Sequence, residues 1–290
     1  KGTSTSDVLP ARIVNGFEVD VSEIPYQATL RRRVQAGWAH TCGAVIIGDR
    51  AALTAAHCVD GFATTPSLLR VVAGTSYRLI GGNSYDVRRV LMHDLYSTIT
   101  LQHDISVLVT SEQIVFSLTI NAVPIAPSNF DLPAGTEALV SGYGMTEFEG
   151  TSSPVLMAAR VAIIDQRICA YAYQYITSIY SSMICASASD PPRDACNGDS
   201  GGPLVAKEHL VGLVSWGEGC GDTQYPGVYT RVSEYYSWIN NILAPSAYYL
   251  AISQNNLQTA LAPAICLPSV AFPFAVCMCA SIWRVAALSV

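Results

Sequence analysis

Apolar and β-branched residues gather in short runs at 44–47, 69–72, 105–110, 138–141, 155–164 and 210–215. Turn-forming residues separate them at Gly48 and Asp49, at 81–83, at 124–133 and at 219–222. Runs this short between Gly, Pro, Asn and Asp predict strands, and their spacing predicts an all-β sandwich or barrel. Helical periodicity is scarce until the end. There Tyr235, Trp238, Ile239, Ile242 and Leu243 recur at three- and four-residue steps, with Ser233 as the expected cap and Glu234 in the first turn. The Pro-rich stretch 122–134 is expected to connect two halves.

The pattern changes after that helix. No Asp, Glu, Lys or Arg occurs from 241 to 283, and the apolar part, 261–283, is long enough to span a bilayer. Pro245, Pro263, Pro268 and Pro273 interrupt it. Residues 253–259 match the polar spacer of a lipid-anchor signal, yet Arg284 sits inside the tail that would be removed. A membrane span, an anchor signal, a packed segment and a functionless extension stay open for 244–290, and no function follows from it.

Half of the 290 residues are apolar and only 13% are charged, so most of the chain can bury a core and disorder is excluded for it. With 16 Lys plus Arg against 22 Asp plus Glu, the net charge of −6 argues against a nucleic-acid partner. The only basic run, Arg31, Arg32 and Arg33, is expected at a solvated hairpin tip. Nine dispersed cysteines read as disulfides of a secreted protein. A zinc framework would need several short pairs, and Cys277 with Cys279 is the only close one. The sequence starts at Lys1 without an initiator Met or an apolar targeting run, so any secretory signal is expected to have been removed.

Three separated blocks carry candidate chemistry. The segment 194–203 contains Asp194, Cys196, Gly198, Asp199, Ser200, Gly201 and Pro203. A serine becomes nucleophilic when a base can take its proton and backbone N–H groups face the charge that develops on the attacked carbonyl. Glycines on both sides of Ser200 let the main chain turn its amides that way. His57, in the block 53–58, supplies an imidazole, and Asp104 leads into the apolar run with a carboxylate. Taken singly, His57 reads as a core histidine and Asp104 as a turn cap; their conjunction with the serine block favours catalysis.

These blocks, with Ile13, Val14, Asn15 and Gly16 near the start and Ser215, Trp216, Gly217 and then Pro226, Gly227, Val228, Tyr229 near the end, resemble the chymotrypsin family of serine proteases. Within it they are most similar to the trypsins, over residues 13–243. The resemblance implies two packed six-stranded antiparallel β-barrels with a C-terminal helix. The halves would fall at about 13–122 and 135–232, with the active site in the cleft between them. It makes His57 the general base and acid, Asp104 its orienting anion and Ser200 the nucleophile. The N–H groups of Gly198 and Ser200 would form the oxyanion hole. Asp194 would lie at the base of the primary pocket, where a shielded carboxylate pairs with a substrate Arg or Lys, and Gly217 and Gly227 would keep its walls open. Asp194 could instead pair with adjacent Arg193, but neighbours in an extended segment point apart. His93 and His103 match no catalytic position.

The resemblance also implies control. Residues 1–12 would be an activation propeptide, and cleavage at Arg12–Ile13 would free an α-amino group to pair with Asp199. Arg12 suits the enzyme's own expected preference, so activation would be partly self-propagating. An α-amino group titrates near 8, so activity would decline at alkaline pH. The family's disulfide pairs map onto Cys42 with Cys58, Cys169 with Cys185, and Cys196 with Cys220; Cys266, Cys277 and Cys279 cannot all pair among themselves. Several relatives bind calcium in the loop matching 70–82, which here has no Asp or Glu, so neither calcium nor any other metal or cofactor is expected. Asn15 replaces a commoner glycine, and no N-glycosylation acceptor occurs.

The expected protein is a secreted, extracellular, monomeric endopeptidase of digestive role, acting on protein or peptide substrates with Arg or Lys before the scissile bond. Protein protease inhibitors are expected partners, and membrane association would come only through the C-terminal extension. Two rivals stand beside this reading. One is a regulatory or anchored trypsin-like protease. The other is an inactive homologue serving as a binding module, which would normally lack one of the three reacting groups.

Overall fold

The computed structural model describes residue 13, residues 15–145 and residues 150–244. Arg12 with the rest of residues 1–12, where the propeptide was expected, and the extension from 245 with Cys266, Cys277 and Cys279, lie outside them.

A two-residue strand, β1 (Phe17–Glu18), precedes the first barrel. That barrel is built from β2 (Gln27–Val34), β3 (Gly37–Gly48), β4 (Ala51–Thr54), β5 (Leu69–Ala73), β6 (Asn83–Met92) and β7 (Ser106–Thr110). They close in the order β2-β3-β4-β7-β6-β5, every pairing antiparallel. Inward residues such as Leu30, Ala44, Leu69, Val71, Val87 and Leu108 meet in one core. Closure leaves no strand edge unpaired around the ring.

The second half holds β8 (Glu137–Gly142), β9 (Met157–Ile164), β10 (Met183–Ser189), β11 (Pro192–Arg193), β12 (Pro203–Ala206), β13 (His209–Trp216) and β14 (Gly227–Arg231). Six of these run β9-β8-β12-β13-β14-β10, and β10 returns to β9 at Cys185 and Ile164 to close the ring. β1 extends β9 and β11 extends β10. The result is the expected pair of six-stranded antiparallel barrels. A shared cluster joins them: Val45, Leu53 and Val107 from the first half meet Leu210 and Leu213 from the second. The connection between β7 and β8 is stitched to both, since Val123 N donates to Ile46 O at 3.1 Å and Leu210 N to Pro124 O at 2.9 Å.

Three local expectations fail. The terminal helix α2 spans Tyr236–Leu243 and follows a 3-10 turn, Val232–Tyr235, whose cap position is Arg231. Ser233 lies inside that turn and caps nothing, because Val232 and Tyr235 are drawn into the core one turn early. A helix α1 (Gln166–Ala172) forms where none was expected. Asp165 starts it by accepting from the amides of Arg167 (2.8 Å) and Ile168 (3.4 Å). Its Ile168 and Tyr171 face solvent and only Cys169 is buried, so no apolar stripe advertises it. Arg31 is the third. It is 8% exposed, and its guanidinium donates to Arg78 O at 2.7 Å and Leu79 O at 3.2 Å, while the hairpin turn falls beyond Val34. Among the described residues no helix is long and apolar enough to cross a membrane.

Candidate active site

His57 sits in the 3-10 turn Ala56–Cys58, which β4 delivers to the end of the first barrel. The Cys42–Cys58 bridge (Cα–Cα 6.2 Å) ties that turn to β3. Asp104, just before β7, is fully buried and divides its carboxylate between two tasks. Oδ1 accepts from the His57 amide at 2.9 Å, fixing the backbone, and Oδ2 accepts from Nδ1 at 2.8 Å, fixing the ring. That second bond puts the proton on Nδ1 and leaves the Nε2 lone pair outward. Ser215 Oγ donates to the same Oδ2 at 2.6 Å, and Thr230 Oγ1 donates to the Asp104 carbonyl at 2.7 Å. The second barrel therefore holds the anion that orients a histidine of the first.

Ser200 lies in the turn leading to β12. Gly43 N donates to its carbonyl at 2.8 Å, and Cys58 Sγ is 3.7 Å from both that carbonyl and His57 Nε2. Gly201 permits this approach: its φ is +76°, and a Cβ there would stand on Thr54 Oγ1 and 2.8 Å from Ala55 N. The Ser200 hydroxyl makes no hydrogen bond among the described residues, including to His57. The amides of Gly198 and Ser200 likewise have no acceptor among the described residues, whereas the intervening Asp199 amide is bonded to Cys196 O at 3.0 Å.

Behind Ser200 opens a cavity of about 210 Å³, lined among others by Asp194, Ser200, Trp216, Gly217, Gly227 and Tyr229. The Cys196–Cys220 bridge (Cα–Cα 5.2 Å) staples its wall. Asp194 is 4% exposed, and its Oδ1 accepts from the Ala195 amide at 2.7 Å. Burial pushes its carboxyl up to about 7, against the opposing pull of the Ala195 and Gly221 amides. Gly227 has to be glycine, because a Cβ would collide with the Asp194 carboxylate. A Cβ on Gly217 would make ordinary contact, 3.7 Å from Gly227 Cα.

Asp199 points the other way, into the body of the second barrel. It is fully buried, with Gly144 N donating to Oδ1 at 2.7 Å and Cys196 N to Oδ2 at 3.0 Å. No cation reaches it among the described residues, and burial lifts it to about 7. Ile13 is also fully buried, in the second barrel's core cluster, with φ +40°.

Further groups brace this site that no local sequence pattern marks. His40, two residues before Cys42, links Thr29 Oγ1 (2.6 Å from Nδ1) to Gly198 O (3.0 Å from Nε2). A carbonyl can only accept, so Nε2 donates to Gly198 and the Thr29 hydroxyl donates to Nδ1. Burial holds this ring's pKa down to about 4, so it stays neutral. Ser215 was visible only as part of a motif. His93 and His103 stack at 4.8 Å, and His103 Nδ1 lies 3.0 Å from Tyr235 Oη, away from His57. Cys42 and Cys58 sulfurs converge with His57 within 4.8 Å, but their bond to each other leaves no thiolate for a metal. The Cys169–Cys185 bridge (Cα–Cα 6.3 Å) ties α1 to β10.

The Trypsin family model matches residues 13–239. The chain belongs to the trypsin family of serine proteases. It is 41% identical to "Trypsin delta" of Drosophila erecta over 243 residues, covering 82% of this chain and 92% of the relative. "Trypsin 5G1" of Aedes aegypti is 38% identical over 231 residues (80% and 85%). "Vitellin-degrading protease" of Bombyx mori is 37% identical over 236 residues (81% and 87%). A trypsin-family chain of this similarity is a serine endopeptidase, and protein substrates follow from the family.

Proposed function

We propose that this trypsin-family enzyme is secreted, cuts after Arg or Lys, and is activated by cleavage at Arg12–Ile13. The observation that carries the specificity is Asp194: a 4% exposed carboxylate at the wall of a cavity that opens beside Ser200. Isolated, it holds its proton up to about 7; a guanidinium or ammonium entering the cavity would stabilise the ionised form and pair with it.

The reaction proposed is the one established for the chymotrypsin-type triad. Ser200 Oγ attacks the scissile carbonyl while His57 Nε2 takes its proton. The Asp104 carboxylate, 2.8 Å from Nδ1, stabilises the imidazolium that forms. The free amides of Gly198 and Ser200 receive the developing oxyanion, with His40 bracing the Gly198 carbonyl 3.0 Å away. His57 then protonates the leaving amine, and water repeats the cycle on the acyl-enzyme.

Activation draws support from Asp199 and Ile13. Asp199 is a fully buried carboxylate with two amide donors and, among the described residues, no cation. Ile13 is β-branched and buried at φ +40°, a conformation that costs such a residue on the order of 1–3 kcal/mol. Cutting the preceding bond abolishes that φ and creates the α-amino cation that Asp199 lacks. Digestive use is proposed from the several insect relatives named trypsin, and protein protease inhibitors are proposed as partners of the same cleft. Extracellular location is proposed from the three bridges.

The test is to treat the purified chain with trypsin, follow intact mass, remove the trypsin, and assay matched Arg, Lys, Phe and Leu ester substrates. Loss of residues 1–12 with turnover confined to Arg and Lys is expected; preference for Phe or Leu rejects the pocket assignment.

A further inference from the structure

The buried guanidinium of Arg31 has no place in the chemistry above, and the loop it holds contains a bond this enzyme would attack. We infer that Arg78–Leu79 is the enzyme's own internal cleavage bond and that Arg31 is the latch that withholds it. The inference rests on the Arg or Lys specificity proposed above.

Among the described residues, every other Arg and Lys sits in a strand, in α1 or in a two-residue turn; Arg78 alone lies in a longer irregular connection, residues 74–82 between β5 and β6. The residues after it are prominent, Leu79 being 51% and Ile80 65% exposed. A protease has to draw a substrate into extended form in its cleft, so a bond paired on both sides of a sheet is withheld and a loop bond is not.

The first part of the connection is tied to the second half by Leu156 N donating to Ser76 O at 2.7 Å and by a Tyr77–Val155 bridge, and four contacts hold residues 78–80. Arg78 N donates to Pro154 O at 2.9 Å, and Thr75 Oγ1 donates to Ile80 O at 2.9 Å. Between them Arg31 Nη2 donates to the Arg78 carbonyl at 2.7 Å and Nη1 to the Leu79 carbonyl at 3.2 Å. The carbonyl that would be attacked is thus the one the guanidinium grips most closely. Arg31 is itself fixed, because β2 pairs it with His40 on one side and Arg70 on the other. One planar fork on two successive carbonyls is a geometry that an ammonium cannot reproduce.

Hydrolysis would break the Arg78–Leu79 C–N bond, adding water's hydroxyl to the Arg78 carbonyl carbon and its proton to the Leu79 nitrogen. Cys42 and Cys58 are the only cysteines before the cut and are bonded to each other, so no disulfide spans it. Cys42–Cys58 stays with the fragment that carries His57, and the other two bridges stay with the fragment that carries Asp104 and Ser200. The first barrel would be divided between β5 and β6, and the cut would be a route to self-inactivation.

The test uses the full chain carrying Ser200→Ala, which cannot cut itself, with and without Arg31→Leu or Arg31→Lys. Each is incubated with a trace of processed wild-type enzyme and, in parallel, with an independent protease of established Arg specificity. Fragments are read by non-reducing electrophoresis and intact mass. Losing a charge-assisted pair of bonds should raise the cleavage rate at Arg78 roughly 10- to 100-fold with Leu, and less with Lys. Adding Arg78→Gln should abolish those fragments. An unchanged rate at Arg78 with the independent protease overturns the latch. So does equal acceleration at Arg89 and Arg167, which would mean general unfolding. If the independent protease cuts at Arg78 while the processed enzyme spares both Arg78 and a free Arg peptide, the latch stands and the specificity reading, with self-cleavage, fails. If the processed enzyme cuts the free peptide but spares the unlatched Arg78, self-cleavage alone is overturned.

Discussion

A core carboxyl with no cation beside it among the described residues should make the intact chain's stability depend on pH, in a direction that cleavage at Arg12–Ile13 should weaken. Asp199 rises from 3.8 to about 7 because it is fully buried, so its proton is held more tightly folded than unfolded. A group of that kind contributes its stability below the unfolded value and loses it as pH climbs through the folded one. Between about pH 4 and pH 7 the intact chain should therefore lose on the order of 4 kcal/mol from Asp199 alone, at roughly 1.4 kcal/mol per pH unit. Asp194 acts in the same sense, being lifted from 3.8 to about 7 by its own burial. On the proposed activation, cleavage at Arg12–Ile13 would supply a cation to Asp199 but not to Asp194, so it should remove one of the two contributions. At roughly 2–4 °C per kcal/mol for a domain of this size, the melting temperature at pH 8 should rise by up to about 8–16 °C on processing, and far less at pH 4. The assay is scanning calorimetry of the Ser200→Ala chain from pH 4 to 8, before and after treatment with trypsin, with Asp199→Asn as a third sample. The intact Asp199→Asn chain should already show the shallower slope. If the cut and uncut chains share one slope, or if Asp199→Asn leaves the intact chain's slope unchanged, then Asp199 is not the unpaired group and the activation argument fails.

Other expectations follow from the pocket and its supports. Asp194→Asn keeps the shape of the cavity and removes its charge; kcat/KM on Arg esters should fall at least about 100-fold, as expected for losing one partner of a buried ion pair, while a matched Phe ester is not slowed. KM for Arg esters should rise as pH drops below about 7, where the empty pocket's Asp194 takes up its proton, and a neutral substrate should show no such rise. His40→Ala removes the bond to the Gly198 carbonyl and should lower kcat about 10-fold or more with little change in KM, since the oxyanion amides would lose their brace. Gly227→Ala places a methyl group against the Asp194 carboxylate and should abolish binding of benzamidine, a small cationic probe, by isothermal titration.

What the sequence discloses here depends on how far apart the partners lie. The strand runs were legible because these strands are buried on both faces, so that 105–110 and 210–215 read as nearly continuous apolar or small residues between turn signals. His57, Asp104 and Ser200 stood out because each lies in a compact motif, although 47 residues separate the two members of the His57–Asp104 bond. Features set by distant packing were not legible. Arg31 reads as a surface charge in a basic run, and only the loop folding over it turns it into a buried donor. α1 lacks an apolar stripe, and its one visible signal, Asp165, is a residue type that also begins ordinary turns. Ser233 looks like a cap until Tyr235 is pulled into the core one turn early. His40 resembles any strand residue until Gly198, 158 residues away, meets it.

The most direct test of the central claim is covalent labelling of the processed enzyme by an organofluorophosphate, which needs an activated serine hydroxyl. The account predicts one stoichiometric adduct, mapped by peptide mass to Ser200, formed only after cleavage at Arg12–Ile13 and slowed severely by His57→Ala or Asp104→Asn. An unlabelled processed chain, or a label on any other residue, would contradict it.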